Sequence, residues 1–389
     1  MLVNKKQNMK ITKLYKEFFD SEKAGGTVLI VCTVVSLVIA NSDFGTEYHH
    51  FWQTIFAGHS IEHWINDGLM AIFFLLIGLE LEREIYKGEL SNFKDALLPI
   101  FGALGGMLVP AGIYLLFNAG TSTQAGAGIP MATDIAFALG ILSLLGNKVP
   151  TSLKIFLTAL AVIDDLGAII IIAIFYTKTL LISNLLIAIG IYILLLVLNR
   201  LKVNNLIPYL VGGVVMWYFM LHSGVHATIT GVLLAFAIPF RQGDHQSPSN
   251  KMQHLLHKPV AFIILPLFAL ANTAIEINGN LVHILNENYS LGIALGLIVG
   301  KPVGIFIFSI IAVKSGISKL SPDLNFKAIG GAAILGGIGF TMSIFITLLA
   351  FDNQIIINNA KLVILLSSLI AGILGFLSLK FSLKKTAVE

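Results

Sequence analysis

Asp164 and Asp165 stand side by side in an apolar run from Ile155 to Tyr176 that holds no other charged residue. A run of that length has the polarity of a membrane-spanning helix, where one ionised Asp near the centre costs about 2.5–3.5 kcal/mol on insertion scales. Other apolar runs carry Asp134, with the hydroxyl of Thr133 beside it, and Lys301. Three carboxylates against one ammonium leave a formal charge of −2 if all ionise. Intramembrane ionisable residues face a bundle interior or a water-filled cavity and mark routes for ions or protons. The blander reading of part of this set is a buried ion pair that only fixes helix packing.

Neighbouring residues on a helix point about 100° apart, so Asp164 and Asp165 must have different partners. A Lys–Asp pair at about 4 Å attracts by roughly 4 kcal/mol at an effective dielectric of 20, enough to hold one acid ionised. The other acid is then free for a cation. Burial and a like-charged neighbour favour the protonated carboxyl, whereas a metal ion or Lys301 favours the carboxylate. Protons and a cation therefore compete for the same oxygens, which suffices for exchange if the site opens to one side at a time. Thr133 adds a neutral oxygen suited to a small hard cation. Nothing matches the Cys/His ligation of transition metals, and the carboxylates are too few for a calcium cage.

Long apolar elements must carry these groups. The 389 residues are 56% hydrophobic and 12% charged, far below the roughly 25% charge of soluble domains, so the chain is an all-α polytopic membrane protein. Apolar runs predict twelve spans, at about 25–41, 66–82, 96–118, 128–147, 152–177, 180–199, 205–221, 224–240, 258–275, 289–313, 326–350 and 359–380. With a cytoplasmic N-terminus, this count puts all 25 basic residues inside except Lys178, Lys361 and the intramembrane Lys301. Residues 1–389 then form one integral-membrane domain, with a cytoplasmic segment 1–24, a periplasmic loop 42–65 and a cytoplasmic tail 381–389. The basic balance reflects this topology, and no nucleic-acid partner is implied. No cleavable signal is visible. Cys32 is the sole cysteine, which excludes an intrachain disulfide.

Two spans have poor helix interiors. Span four opens with Gly126, Gly128 and Pro130 before Thr133 and Asp134; span eleven carries Gly330, Gly331, Gly336, Gly337 and Gly339 before Phe340, Thr341 and Ser343. Both are predicted to break mid-membrane, where freed backbone groups are tolerated only against protein or a wet cavity. They hold matching places in spans 3–5 and 10–12, which enter the membrane from opposite sides and so suggest an inverted-topology repeat.

In the aromatic outer segment, His59-Ser60-Ile61-Glu62-His63 fits the H-x-x-E-H pattern of some zinc proteases, but without a third ligand an amphipathic surface helix is the stronger reading. An intramembrane aspartyl protease needs acids on two facing helices in a Gly-x-Gly-Asp context, whereas Ala161, Val162 and Ile163 precede Asp164. A sodium-coupled symporter needs polar groups to orient an organic substrate, and the cluster holds only acids, one base and a hydroxyl.

The chain resembles the NhaA-type bacterial sodium/proton antiporters over nearly its whole length. The signatures are Gly78-Leu79-Glu80-Leu81-Glu82-Arg83-Glu84, Pro130 to Phe137 around Thr133-Asp134, Ala161 to Gly167 around the Asp pair, Gly300-Lys301-Pro302-Val303-Gly304, and Gly337 to Ser343. The resemblance implies that broken helices four and eleven cross, that Asp165 is the principal cation ligand with Asp164 its partner acid and Thr133 assisting, and that Lys301 binds Asp164. It also implies that Asp134 and Lys301 offset the facing helix ends. The implied activity is electrogenic Na⁺ or Li⁺ export against H⁺, with no cofactor, in a homodimer of the inner membrane joined through the 42–65 segment and bathed in lipid. Glu80, Glu84, His254 and His257 form a candidate pH-responsive inner mouth, with His226 near the outer one. Gln253 stands where well-known members have a carboxylate, and Glu82 replaces a base, which bears on the pH set-point.

Overall fold

The computed structural model describes residues 24–91, 93–176, 180–241, 246–277 and 281–383. The terminal stretches 1–23 and 384–389 that were assigned to the cytoplasm, and Lys178, lie outside the described residues. Nearly everything described is helical, as expected of chains that must satisfy their backbone internally in an apolar medium.

The elements are α1 (Ala24–Ala40) and α2 (Gly45–Gln53), a hairpin of β1 (Ile55–Phe56) and β2 (His59–Ser60), then α3 (Ile61–Tyr86) and α4 (Phe93–Asn118). A 3-10 segment, Gln124–Met131, leads to α5 (Ile135–Ser143), followed by α6 (Thr151–Phe175), α7 (Ile182–Arg200), α8 (Ile207–Leu221) and α9 (Ile229–Ala237). The remainder is α10 (Pro248–Asn272), α11 (Leu281–Asn286), α12 (Asn288–Lys314), α13 (Phe326–Gly336), α14 (Phe340–Ala350) and α15 (Gln354–Ser382). Among the described residues, eight helices are long and apolar enough to cross a membrane, or ten if each of two bent pairs is one span. Those pairs are α1 with α2, bent by 115°, and α13 with α14, bent by 44°. The helices at predicted spans seven and eight are shorter, at 15 and 9 residues. At 1.5 Å per residue they reach about 22 and 14 Å, short of a hydrocarbon core of about 30 Å.

Two boundaries differ from the sequence reading. The spans predicted at 224–240 and 258–275 leave 241–257 as a connection, yet α10 begins at Pro248. Ser247 accepts a hydrogen bond from the Asn250 N–H, and Pro248 occupies the first turn, where its missing donor costs nothing. The 42–65 segment holds a hairpin as well as a surface helix. Its two-residue turn places Ala57 at φ 50° and Gly58 at φ 89°, the left-handed pair that matches the twist of adjacent strands.

α6 lies at the centre: Leu153, Phe156, Leu157 and Leu160 are buried, whereas Ile170, Ile174 and Phe175 near its other end are exposed. Beside it, α4 and α12 cross with almost no space between their backbones. A Cβ on Gly304 would lie 2.1 Å from the Gly105 carbonyl oxygen, and one on Gly105 would lie 2.2 Å from that of Gly304. Gly304 is three residues beyond Lys301 on the same helix, so this contact sets the depth of that lysine. Gly304→Ala must push the helices apart and is expected to lower stability by about 1–3 kcal/mol, the usual cost of overpacking, visible as a lower unfolding temperature in detergent. An unchanged melting curve would contradict the close crossing.

Candidate functional site

The fourth predicted span breaks where its glycines and proline weaken the helix. Met131 ends the 3-10 segment, Ala132 is extended at φ −80°, ψ 149°, and Asp134 at φ −81°, ψ 97° caps α5. In the eleventh, Gly337, Ile338 and Gly339 separate α13 from α14. The two unwound stretches meet, because the Asp134 N–H donates to the Ile338 carbonyl oxygen at 2.7 Å.

Asp134 serves both helix beginnings. Its Oδ1 accepts from the Phe137 N–H at 2.9 Å, and its Oδ2 accepts from the Thr341 N–H at 3.1 Å and the Thr341 hydroxyl at 2.5 Å. A carboxylate at two N-termini is favourably placed against both helix dipoles. One of the opposite ends meets a cation: Lys301 Nζ donates to the Met131 carbonyl oxygen, the last of the 3-10 segment. Ser343 ties the crossing again by donating to the Ile129 carbonyl at 2.7 Å.

The two central acids differ sharply. Asp164 Oδ2 lies 2.9 Å from Lys301 Nζ and accepts from the Thr133 hydroxyl at 2.8 Å; that hydroxyl is also 3.0 Å from the Gly336 carbonyl, at the end of α13. Asp165 is fully buried and neither of its oxygens has a hydrogen-bond partner; the second Asp164 oxygen has none either. Asp165 nevertheless sits in the electrostatic field of Asp164, Lys301, Asp134 and Glu80. Thr133, Asp134, Asp164, Asp165 and Lys301 are all buried, and the sequence-predicted set converges on one place from the unwound stretch before α5, from α6 and from α12. Three carboxylate oxygens without partners, in a setting rich in backbone carbonyls, can accept a proton or a hard cation. Among the described residues no group of three or more His, Cys, Asp or Glu is arranged as a metal centre.

The inner-mouth candidates are partly gathered. Glu80 is buried with the Gln253 side chain beside it, while Glu84 pairs with Arg83 at 2.8 Å. Glu82, also buried, accepts from the Ser249 hydroxyl at 3.0 Å, which joins α3 to α10. His254 is exposed and His257 half-buried on α10. His226 is elsewhere, donating from Nε2 to the Tyr176 carbonyl at 3.1 Å and lining a cavity of about 290 Å³ with Glu62, His63, Asn66 and Asp67. The zinc-like pattern forms no chelate: the His59 and His63 rings stack at 4.3 Å, and His63 Nδ1 pairs with Asp67 at 3.2 Å.

Freed backbone groups at both breaks were expected, but which carbonyls act, those of Met131, Gly336 and Ile338, and the dual bond from Thr341 were not, because backbone acceptors leave no residue signature. Gly126, Gly128 and Pro130 in one span and the glycines at 336, 337 and 339 in the other were the pointers to the breaks.

A family model described as Na+/H+ antiporter 1 matches residues 16–379. The Na(+)/H(+) antiporter NhaA of Flavobacterium psychrophilum is 72% identical over 381 residues, covering 98% of this chain and 99% of the relative. The Na(+)/H(+) antiporter NhaA of Cytophaga hutchinsonii is 64% identical over 377 residues, covering 97% of each chain. That of Dechloromonas aromatica is 61% identical over 376 residues, covering 96% of this chain and 97% of the relative.

Proposed function

The chain belongs to the Na+/H+ antiporter 1 family, and from that premise we propose that it exports Na⁺ or Li⁺ in electrogenic exchange for H⁺, with cation and protons competing for Asp164 and Asp165. The observation that carries this reading is the inequality of the two acids: Asp164 is held by Lys301 and Thr133, and Asp165 is buried with no partner at all. Asp165 is the principal cation ligand. Asp164 joins it when a proton or the arriving cation displaces Lys301, and Thr133 supplies a neutral oxygen. Asp134 and Lys301 offset the facing helix ends.

In the cycle, protons load from outside, the site opens inward, Na⁺ replaces them, and the cation leaves outward by alternating access. Two protons per cation move one net charge, so an inward-negative potential drives export by about 2.3 kcal/mol per 100 mV. Glu80, among the acids whose charge bears on Asp165, supports a pH-responsive inner mouth of Glu80, Glu84, His254 and His257, with His226 acting at the outer mouth. The architecture that fits this cycle has twelve spans, with α8 and α9 the seventh and eighth, inverted repeats in spans 3–5 and 10–12, and both termini cytoplasmic in the inner membrane. Exposed Phe51, Ile55 and Phe56 of the 42–65 segment suit the contact of a homodimer.

In inverted vesicles carrying a ΔpH, Na⁺ and Li⁺ are expected to collapse the gradient and K⁺ to leave it. Exchange should quicken when a potential of the physiological sign is imposed. A gradient indifferent to Na⁺ would overturn the assignment, and an exchange rate indifferent to potential would overturn its electrogenic part.

A further inference from the structure

Lys361 is a buried cation that the exchange site does not use. Its side chain is 4% exposed near the start of α15, with Nζ 3.4 Å from Asn272 Oδ1 on α10 and 3.9 Å from Glu62 Oε1 on α3. Asn272 joins those two helices a second time: its Nδ2 donates to Asn66 Oδ1 at 2.7 Å, and its Oδ1 accepts from Asn66 Nδ2 at 3.4 Å. One ammonium and two carboxamides therefore bind α3, α10 and α15 together. Asn66 lies in a π-helical stretch, Trp64–Leu69, an irregularity that frequently marks functional positions.

Both contacts of Lys361 are long, since charge-assisted hydrogen bonds close to about 2.7–2.9 Å. The charge is thus buried but loosely held, a contact that can part at little cost. Glu62, at the other side of that contact, lines the outer cavity opposite a different element: Phe345, Leu348 and Leu349 of α14. α15 reaches α14 directly. Ser368 Oγ accepts from the Phe340 N–H at 3.1 Å, at the very N-terminus that Asp134 also serves. Lys361 and Ser368 are seven residues apart, two turns along one face, so the same helix face meets the outer polar cluster and the crossing.

We propose that Lys361 is a positioning residue of the exchange cycle: its contacts with Glu62 and Asn272 latch α15 to α3 and α10 while the outer route is shut, and they part to let ions pass outward. The latch rests on the exchange reading above, because only a site that alternates its access needs one. It lies apart from the inner-mouth acids and histidines and uses none of them.

The test is made with full-length protein in right-side-out vesicles, with Cys32→Ser removing the sole cysteine and Leu349→Cys placing a thiol in the outer cavity. Labelling by a membrane-impermeant maleimide is expected to be several-fold faster in Lys361→Met, at most about tenfold, the effect of losing a loosely held ion pair. Glu62→Gln, at a partly exposed position, should give a gain in the same direction, and the two together no more than Lys361→Met alone. The swap Glu62→Lys with Lys361→Glu should restore slow labelling, a rescue that a merely structural lysine would not show. Unchanged labelling in both single variants, additive gains, or no rescue by the swap overturns the latch. Na⁺-dependent collapse of ΔpH in inverted vesicles of the same parent is read separately: its absence strikes the exchange reading, while the labelling rates decide the latch.

Discussion

Asp165→Asn abolishes Na⁺-dependent exchange and leaves the protein at least as stable as the parent. The substitution keeps the shape of the side chain and removes its charge. A unit charge acting on a cation at about 4 Å contributes roughly 4 kcal/mol at an effective dielectric of 20, which corresponds to about a thousandfold in affinity. Stability does not fall with it, because neither carboxylate oxygen has a hydrogen bond to lose and the buried residue faces three acids, Asp164, Asp134 and Glu80, against the single cation Lys301. The measurements are ΔpH dissipation by Na⁺ in inverted vesicles and thermal unfolding in detergent. Retained exchange would sink the cation-site assignment. Lost exchange with a collapsed melting temperature would show that Asp165 holds the fold together instead.

Lys301→Ala has the largest expected effect on stability. It leaves Asp164 buried without the ammonium at 2.9 Å and leaves the Met131 carbonyl at the end of its 3-10 segment without its donor. Removing one member of a buried pair typically costs about 3–5 kcal/mol, because the remaining charge stays desolvated. The remedy identifies the cause: Lys301→Met combined with Asp164→Asn should regain most of the lost stability while remaining inactive, since no uncompensated charge is left. Equal melting temperatures for Lys301→Ala and the parent would contradict the pairing. In vesicles, Lys301→Ala is also expected to shift the pH profile of whatever exchange remains. The Asp164→Asn single variant should lose exchange as Asp165→Asn does, but with a stability cost that Asp165→Asn does not carry.

The separate behaviour of the two acids was legible from their adjacency alone, since neighbouring helical positions cannot share contacts. So were the breaks near 132–134 and 337–339, because glycine and proline are poor in helix interiors and a membrane magnifies that weakness. What could not be read was how the broken ends engage each other. The bonds from Asp134 N to Ile338 O, from Thr133 to Gly336 O and from Lys301 to Met131 O all use backbone acceptors, which any residue type supplies. The start of α10 was missed for a different reason: its first turn is polar, so an apolar-run reading begins the helix ten residues late, although Ser247-Pro248 is a recognisable start signal. Lys361 was counted only as an outside charge. Its burial depends on Asn272, 89 positions away in the chain, a distance over which no local pattern speaks.

The suture between Asp134 and Thr341 spans 207 positions of the chain. At about 5–20 residues per second, roughly 10–40 s of synthesis separate the two partners. Through that interval the carboxylate of Asp134 has a single helix end to serve, and the opening between α13 and α14 does not yet exist. Lys301 arrives late as well, long after the acid it pairs with. The proposed exchange centre is therefore completed by the last third of the polypeptide, and a copy whose synthesis stops early carries the acids without the groups that arrange them. On the proposed reading, newborn chains thus enter the bilayer before the buried acids are organised into a route for the ions that the membrane must hold apart.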